Sequence, residues 1–169
     1  ANLERLRRLG LPFGSYTGVD QSDDILARAR MKFGQVANAR FHRLDLMTDS
    51  LPGGPFDLIV STWVFEHLPE PGRAVEKAWQ GMRPGGYMVL LFEIETDAWR
   101  DCLIQPVWHF FSAHLLREEE YRSLPGLVSI ECFAGVGPTV ALVVSRKPEG
   151  PAPGGTSQAK TEEMRDRTS

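Results

Sequence analysis

Residues Phe56 to Glu93, FDLIVSTWVFEHLPEPGRAVEKAWQGMRPGGYMVLLFE, constrain the fold of this chain more than any other stretch. Phe56 to Val60 is a short apolar run without alternation, as expected of a parallel strand covered on both faces. Ser61-Thr62 ends it with hydroxyls, at the strand mouth where open α/β sheets receive ligands. Val75, Ala78, Trp79 and Met82 recur at helical spacing, Pro84-Gly85-Gly86 should stop that helix, and Tyr87 to Phe92 reads as a second apolar strand. Strand, polar loop, helix, glycine turn and strand make a βαβ crossover, so the chain belongs in the α/β class.

The flanking sequence extends that pattern. Leu3, Leu6 and Leu9 line one face of an opening helix while Glu4, Arg5, Arg7 and Arg8 take the other. Gly10-Leu11-Pro12 ends it, Tyr16 to Val19 is a short strand, and Ser22 caps a second helix that should turn Ile25, Leu26, Ala29 and Phe33 inward. A third strand covers Ala39 to Leu44, and a turn-rich loop runs through Pro52-Gly53-Gly54-Pro55. Alternating strands and helices predict a doubly wound sheet. Later, Val128 to Phe133 and Thr139 to Ser145 are β-rich runs joined by a turn too short for a crossover helix, so they are expected to pair as an antiparallel hairpin. Pro148 to Ser169 has almost no apolar residues and is expected to be a disordered tail after a domain spanning residues 1–147. No internal repeat is present.

Of the 169 residues, 42% are hydrophobic and 24% charged, enough apolar material for one domain with a real core. The net charge of -3 disfavours nonspecific nucleic-acid binding, which needs many Lys and Arg contacts to phosphate, and favours a small-molecule partner. Cys102 and Cys132 stand far apart without metal-ligand spacing, so neither zinc nor a disulfide framework is expected, and a reducing cytoplasm suits them. No run is long and apolar enough for a transmembrane helix, and no metal site is expected from His109 and His114.

Three strand ends carry candidate chemistry. Asp20, in YTGVDQS, closes a strand just before a helix, where its carboxylate could accept both hydroxyls of a ribose or simply serve the helix start. Asp45, in FHRLDL, could accept from an adenine amine while the Leu46 backbone meets the ring edge, or act as a turn aspartate. With Ser61-Thr62 they fall at carboxyl ends of successive predicted strands, on one edge of one sheet, which makes a nucleoside site the favoured reading. Glu66-His67 follows the last loop, and His67 is a weak candidate for a general base. The aromatic stretch Trp99 to Leu116 is read as core or as the wall of an apolar substrate pocket, and Arg117 to Glu120 as a solvated helix face.

The Phe56 to Glu93 block, with Asp20 and Asp45 upstream, resembles class I S-adenosylmethionine-dependent methyltransferases, in particular the small-molecule group with a "D...S..v.eHl" loop after strand four. The resemblance covers about Ala1 to Lys147. It implies a Rossmann-like sheet with a C-terminal antiparallel hairpin, S-adenosyl-L-methionine as cofactor, and methyl transfer to an oxygen, nitrogen or carbon of a small molecule. It also implies cofactor contacts: ribose at Asp20, adenosine against Gln21, adenine at Asp45 and Leu46, and the methionine end along Ser61, Thr62 and Trp63. The family's glycine-rich loop, D/E-x-G-x-G-x-G, and its first strand have no counterpart here, since Asn2 to Leu9 corresponds to the helix that follows them. The chain as written is therefore expected to be truncated and impaired in cofactor binding. A noncatalytic methyltransferase-like module acting through protein partners is the alternative, while the terminal hairpin disfavours a nicotinamide dehydrogenase.

Overall fold

The computed structural model describes residues 2–95, 115–133 and 139–150. Helix α1 (Asn2–Arg8) precedes strand β1 (Tyr16–Asp20), helix α2 (Asp23–Phe33) and strand β2 (Ala39–Arg43). Strand β3 (Phe56–Thr62), a 3-10 turn (Phe65–His67), helix α3 (Pro71–Gly81) and strand β4 (Met82–Ile94) form the crossover. Helix α4 (Glu118–Arg122) and strands β5 (Leu127–Phe133) and β6 (Thr139–Arg146) complete the described chain.

Both expected kinds of pairing are present, but not in one sheet. β1 and β2 run parallel in a two-stranded sheet, whereas β3, β4, β6 and β5 form a four-stranded one in that order. β3 and β4 are parallel, and β6 lies antiparallel between β4 and β5, as the hairpin reading requires. β1 and β3 share no backbone ladder, and each has one strand neighbour among the described residues. Alternation along the chain specifies which elements form, while sheet continuity needs two edges to meet at hydrogen-bonding distance.

Each sheet has its own apolar centre. Leu3, Leu26, Phe33 and Leu44 are buried beside the small sheet, and Phe33 stacks on Phe41 of β2 with ring centres 6.2 Å apart. The main core joins Phe65, Ala74, Val75 and Ala78 to the inward face of β4, where Met88, Leu90, Phe92 and Ile94 alternate with less buried residues. That alternation is the period of a strand with one face on a helix layer. Leu46 and Met47, from the loop after β2, pack against this main core.

Four local expectations are revised. Leu9 lies beyond α1 and is 64% exposed, and Ile25 on α2 is 52% exposed, so neither helix buries its whole apolar set. β3 is not covered on both faces, because Leu58 and Val60 are 48% and 40% exposed. Helix α3 ends at Gly81, and Pro84-Gly85-Gly86 lies inside β4 rather than before it. There β3 advances from Phe56 to Leu58 while β4 advances from Met82 to Tyr87, a bulge that takes up the glycine turn. A Cβ on Gly86 would stand 3.0 Å from the Phe56 carbonyl oxygen, so the close approach of these strands requires glycine. Glu118, Glu119 and Glu120 are exposed as expected. The aromatic run 96–114, with Cys102, His109 and His114, and the tail 151–169 lie outside the described residues.

Candidate functional site

The parallel strands deliver the candidate residues to their carboxyl ends. Asp20 is the last residue of β1, and its Oδ1 accepts the Ser22 backbone N–H at 2.8 Å. This is an Asx-type turn that starts α2, whose N-cap is Ser22, as expected. The structural and the ligand-binding readings of Asp20 are therefore compatible: one oxygen serves the turn, and no donor among the described residues reaches Oδ2. Gln21 has an exposed side chain, and its carbonyl accepts from Arg43 Nε at 3.3 Å, which ties the β1 and β2 ends together.

Asp45 divides in the same manner. Its Oδ1 accepts the Met47 N–H at 2.7 Å, its own N–H donates to Asp49 Oδ2 at 2.9 Å, and its Oδ2 has no hydrogen bond among the described residues. The loop it opens is held from the other layer. Lys77 on α3 donates from Nζ to the carbonyl oxygens of Leu46 and Asp49, both at 2.6 Å. A lysine in a helix otherwise read as a core element gives no sequence signal for this role. The tether is a product of α3 passing beside the loop.

Ser61 and Thr62, both half-buried, are the last residues of β3. Trp63 then takes a left-handed backbone with φ of 59°, its N–H donates to Leu91 O at 2.9 Å, and its side chain remains substantially exposed. A non-glycine residue with positive φ is uncommon and marks a turn fixed by its surroundings. His67 is exposed. The preceding Glu66 is the reverse, 2% exposed with Oε2 buried and unpartnered, and Glu93 near the end of β4 likewise has a buried, unpartnered Oε2. Burial pushes the Glu66 carboxyl up, and burial followed by the Glu66 charge pushes Glu93 up. The reading of the "EH" pair by its histidine thus missed the carboxylates, because burial of a glutamate is not written in its spacing.

Asp20 ends β1, Asp45 lies two residues past the end of β2, and Ser61-Thr62 ends β3, so the one-edge-of-one-sheet arrangement is corrected to three strand ends distributed over two sheets. A concavity of about 440 Å³ between α3 and residues 116–125, lined by Val75, Trp79, Leu116 and Leu124, includes none of these candidates. The polar groups that could act on a ligand, and not the apolar hollow, locate the candidate site.

A family model described as a methyltransferase domain matches residues 1–90. The chain belongs to that family, the class I S-adenosylmethionine-dependent methyltransferases. The trans-aconitate 2-methyltransferase of Deinococcus radiodurans is 33% identical over 86 residues, which are 51% of this chain and 31% of that protein. The phosphatidylethanolamine N-methyltransferase of Cereibacter sphaeroides is 31% identical over 96 residues, 53% of this chain and 47% of that protein. The chain therefore spans less than half the length of either relative. Among solved structures, the magnesium protoporphyrin IX methyltransferase of Synechocystis PCC 6803 with bound SAH superposes with a TM-score of 0.63 at 16% identity, over 79% of this chain and 64% of that one. That likeness gives the methyltransferase domain its Rossmann-like fold.

The residues present fit the adenosine part of such a cofactor. Among the described residues, Asp20 Oδ2 and Asp45 Oδ2 have no hydrogen-bond donor, and the other oxygen of each carboxylate accepts from a backbone N–H two residues on. Both carboxylates are thereby oriented before a ligand arrives, which reduces the entropy lost on binding.

Proposed function

We propose that this methyltransferase domain binds S-adenosylmethionine and transfers its methyl group to an oxygen, nitrogen or carbon of a small molecule. The observation that carries the reading is the pair of half-engaged aspartates, Asp20 and Asp45, each at the carboxyl end of a parallel strand in a chain of this family. Asp20 would take the ribose hydroxyls, with Gln21 beside the adenosine. Asp45 and Leu46 would meet the adenine, and Ser61, Thr62 and Trp63 would line the methionine end. The cofactor supplies a methyl group on an activated sulfonium leaving group. The chain's own task is then alignment and exclusion of water, and a dedicated general base such as His67 is secondary. One relative is named for trans-aconitate and the other for N-methylation of phosphatidylethanolamine, so the family match leaves the acceptor atom open.

The open edges of β1 and β3 favour a second reading, a noncatalytic module completed by a protein partner, since unpaired strand edges invite another strand. Calorimetric titration with S-adenosylhomocysteine separates the two. Saturable binding that is lost in Asp20→Ala supports the enzyme. Absence of binding, both in this chain and in a version extended upstream with a glycine-rich loop, rejects the cofactor and leaves the module.

A further inference from the structure

The structure leaves one polar pair without a structural explanation. Glu66 sits in the 3-10 turn just after β3, and Glu93 lies on β4 two residues past Leu91, the last β4 residue paired with β3. Both are at the carboxyl end of the main sheet, next to the Ser61-Thr62-Trp63 loop. The Glu93 backbone is held by pairing with Val140 and by the Leu116 N–H, which donates to Glu93 O at 3.4 Å. Each residue has an Oε2 buried without a hydrogen-bond partner, and each feels the other elements of the turn electrostatically: Glu66 faces His67, and Glu93 faces Glu66 and His67.

A buried carboxylate oxygen without a donor is costly, and two near each other are more so. Among the described residues, no cationic side chain pairs with either carboxylate. His67, the adjacent cationic candidate, is exposed and bonded to neither carboxylate. Arg117, across the Leu116 bridge, pairs with Glu95 at 3.3 Å. The other ion pairs among the described residues involve neither Glu66 nor Glu93. Buried unsatisfied groups in a native fold call for a functional explanation or a missing partner.

We infer that Glu66 and Glu93 form a subsite for a cationic nitrogen, the protonated amine of the methyl acceptor, at the carboxyl end of β3 and β4. An ammonium has three donors and no acceptor, so it can satisfy both orphan oxygens at once, which a hydroxyl or a carboxylate cannot. Trp63, exposed on the same loop, adds an aromatic face of the kind that attracts cationic nitrogen. Burial raises both carboxyls, the Glu66 charge raises Glu93 further, and His67 offsets this only in part. The inference rests on the methyltransferase reading for its acceptor, but its chemistry is that of the two carboxylates alone.

The test is a titration of the full chain, carrying ¹³C-labelled glutamate, with ethanolammonium and, in parallel, with its neutral isostere ethylene glycol. Saturable shifts of the Glu66 and Glu93 carboxyl resonances by ethanolammonium and not by glycol are expected, with the resonances of the exposed Glu70 and Glu76 showing no saturation. In Glu66→Gln, which keeps shape and removes charge, the affinity should fall roughly tenfold or more. Glu93→Gln should behave alike, and the unsubstituted protein supplies a result even if either variant fails to fold. Absence of shifts, or equal shifts with glycol, overturns the subsite. A separate titration with S-adenosylhomocysteine keeps the readings apart: its binding without an ethanolammonium response overturns this inference alone, and an ethanolammonium response without its binding supports the subsite and removes the cofactor reading.

Discussion

Replacing Asp20 separates ligand binding from local folding, because its two oxygens have different work. Oδ1 accepts from Ser22 N–H at 2.8 Å and sets the turn into α2, while Oδ2, without a donor among the described residues, is the atom proposed to meet a ribose hydroxyl. Asp20→Asn retains an acceptor for Ser22 and removes the charge. A hydrogen bond to a charged group contributes roughly 1.5 to 3 kcal/mol, so the Kd for S-adenosylhomocysteine should rise about ten- to a hundredfold. Asp20→Ala loses the same binding term and the turn bond as well. The latter is worth about 0.5 to 1.5 kcal/mol, which in a chain of this size lowers Tm by about 1 to 6 °C. Isothermal calorimetry and thermal unfolding on the three proteins measure the two effects independently. Two results refute the reasoning: Asn binding as tightly as the parent, or Asn losing as much thermal stability as Ala.

Further outcomes follow from other contacts. Lys77→Met removes two ammonium-to-carbonyl bonds at 2.6 Å from the loop of residues 45–49, and should cost about 1 to 3 kcal/mol of stability while weakening S-adenosylhomocysteine binding, read by denaturant unfolding and calorimetry. Gly126 has a φ of 60°, and a Cβ there would collide with Arg146 O and the Trp79 ring. Gly126→Ala should therefore destabilise by about 2 to 5 kcal/mol, and a Tm within a degree or two of the parent would contradict that packing. Glu66 and Glu93 have carboxyls held above the usual range, so the folded protein binds more protons than the unfolded chain between the unfolded and the raised folded values. Their contribution to stability is complete below the unfolded value and is lost as pH rises through the folded one. Glu66→Gln cannot ionise, so its Tm should gain on the parent's as pH goes from about 4 to about 7; a gap that stays constant across that range removes Glu66 from the titration.

The sequence was most readable where a local rule acts on consecutive residues. The Ser22 cap, the Asp20 and Thr62 strand ends and the β5–β6 hairpin follow from turn residues, periodicity and loop length, none of which needs to know what lies across the molecule. The same locality explains the misplaced glycine turn. Pro84-Gly85-Gly86 does break the regular ladder, but the break falls within a strand because Met82 already pairs with Phe56.

By itself, then, the sequence determined the α/β alternation, the parallel and antiparallel strand types and the strand-end placement of Asp20, Asp45 and Ser61-Thr62. Tertiary structure alone decided the division into two sheets, the exposure of Leu58 and Val60, the Lys77 tether and the burial of Glu66 beside Glu93. Propensity and periodicity are properties of neighbours along the chain, whereas burial and partnership depend on which distant surfaces meet. A lysine or a glutamate reads identically in either setting until the fold removes its water.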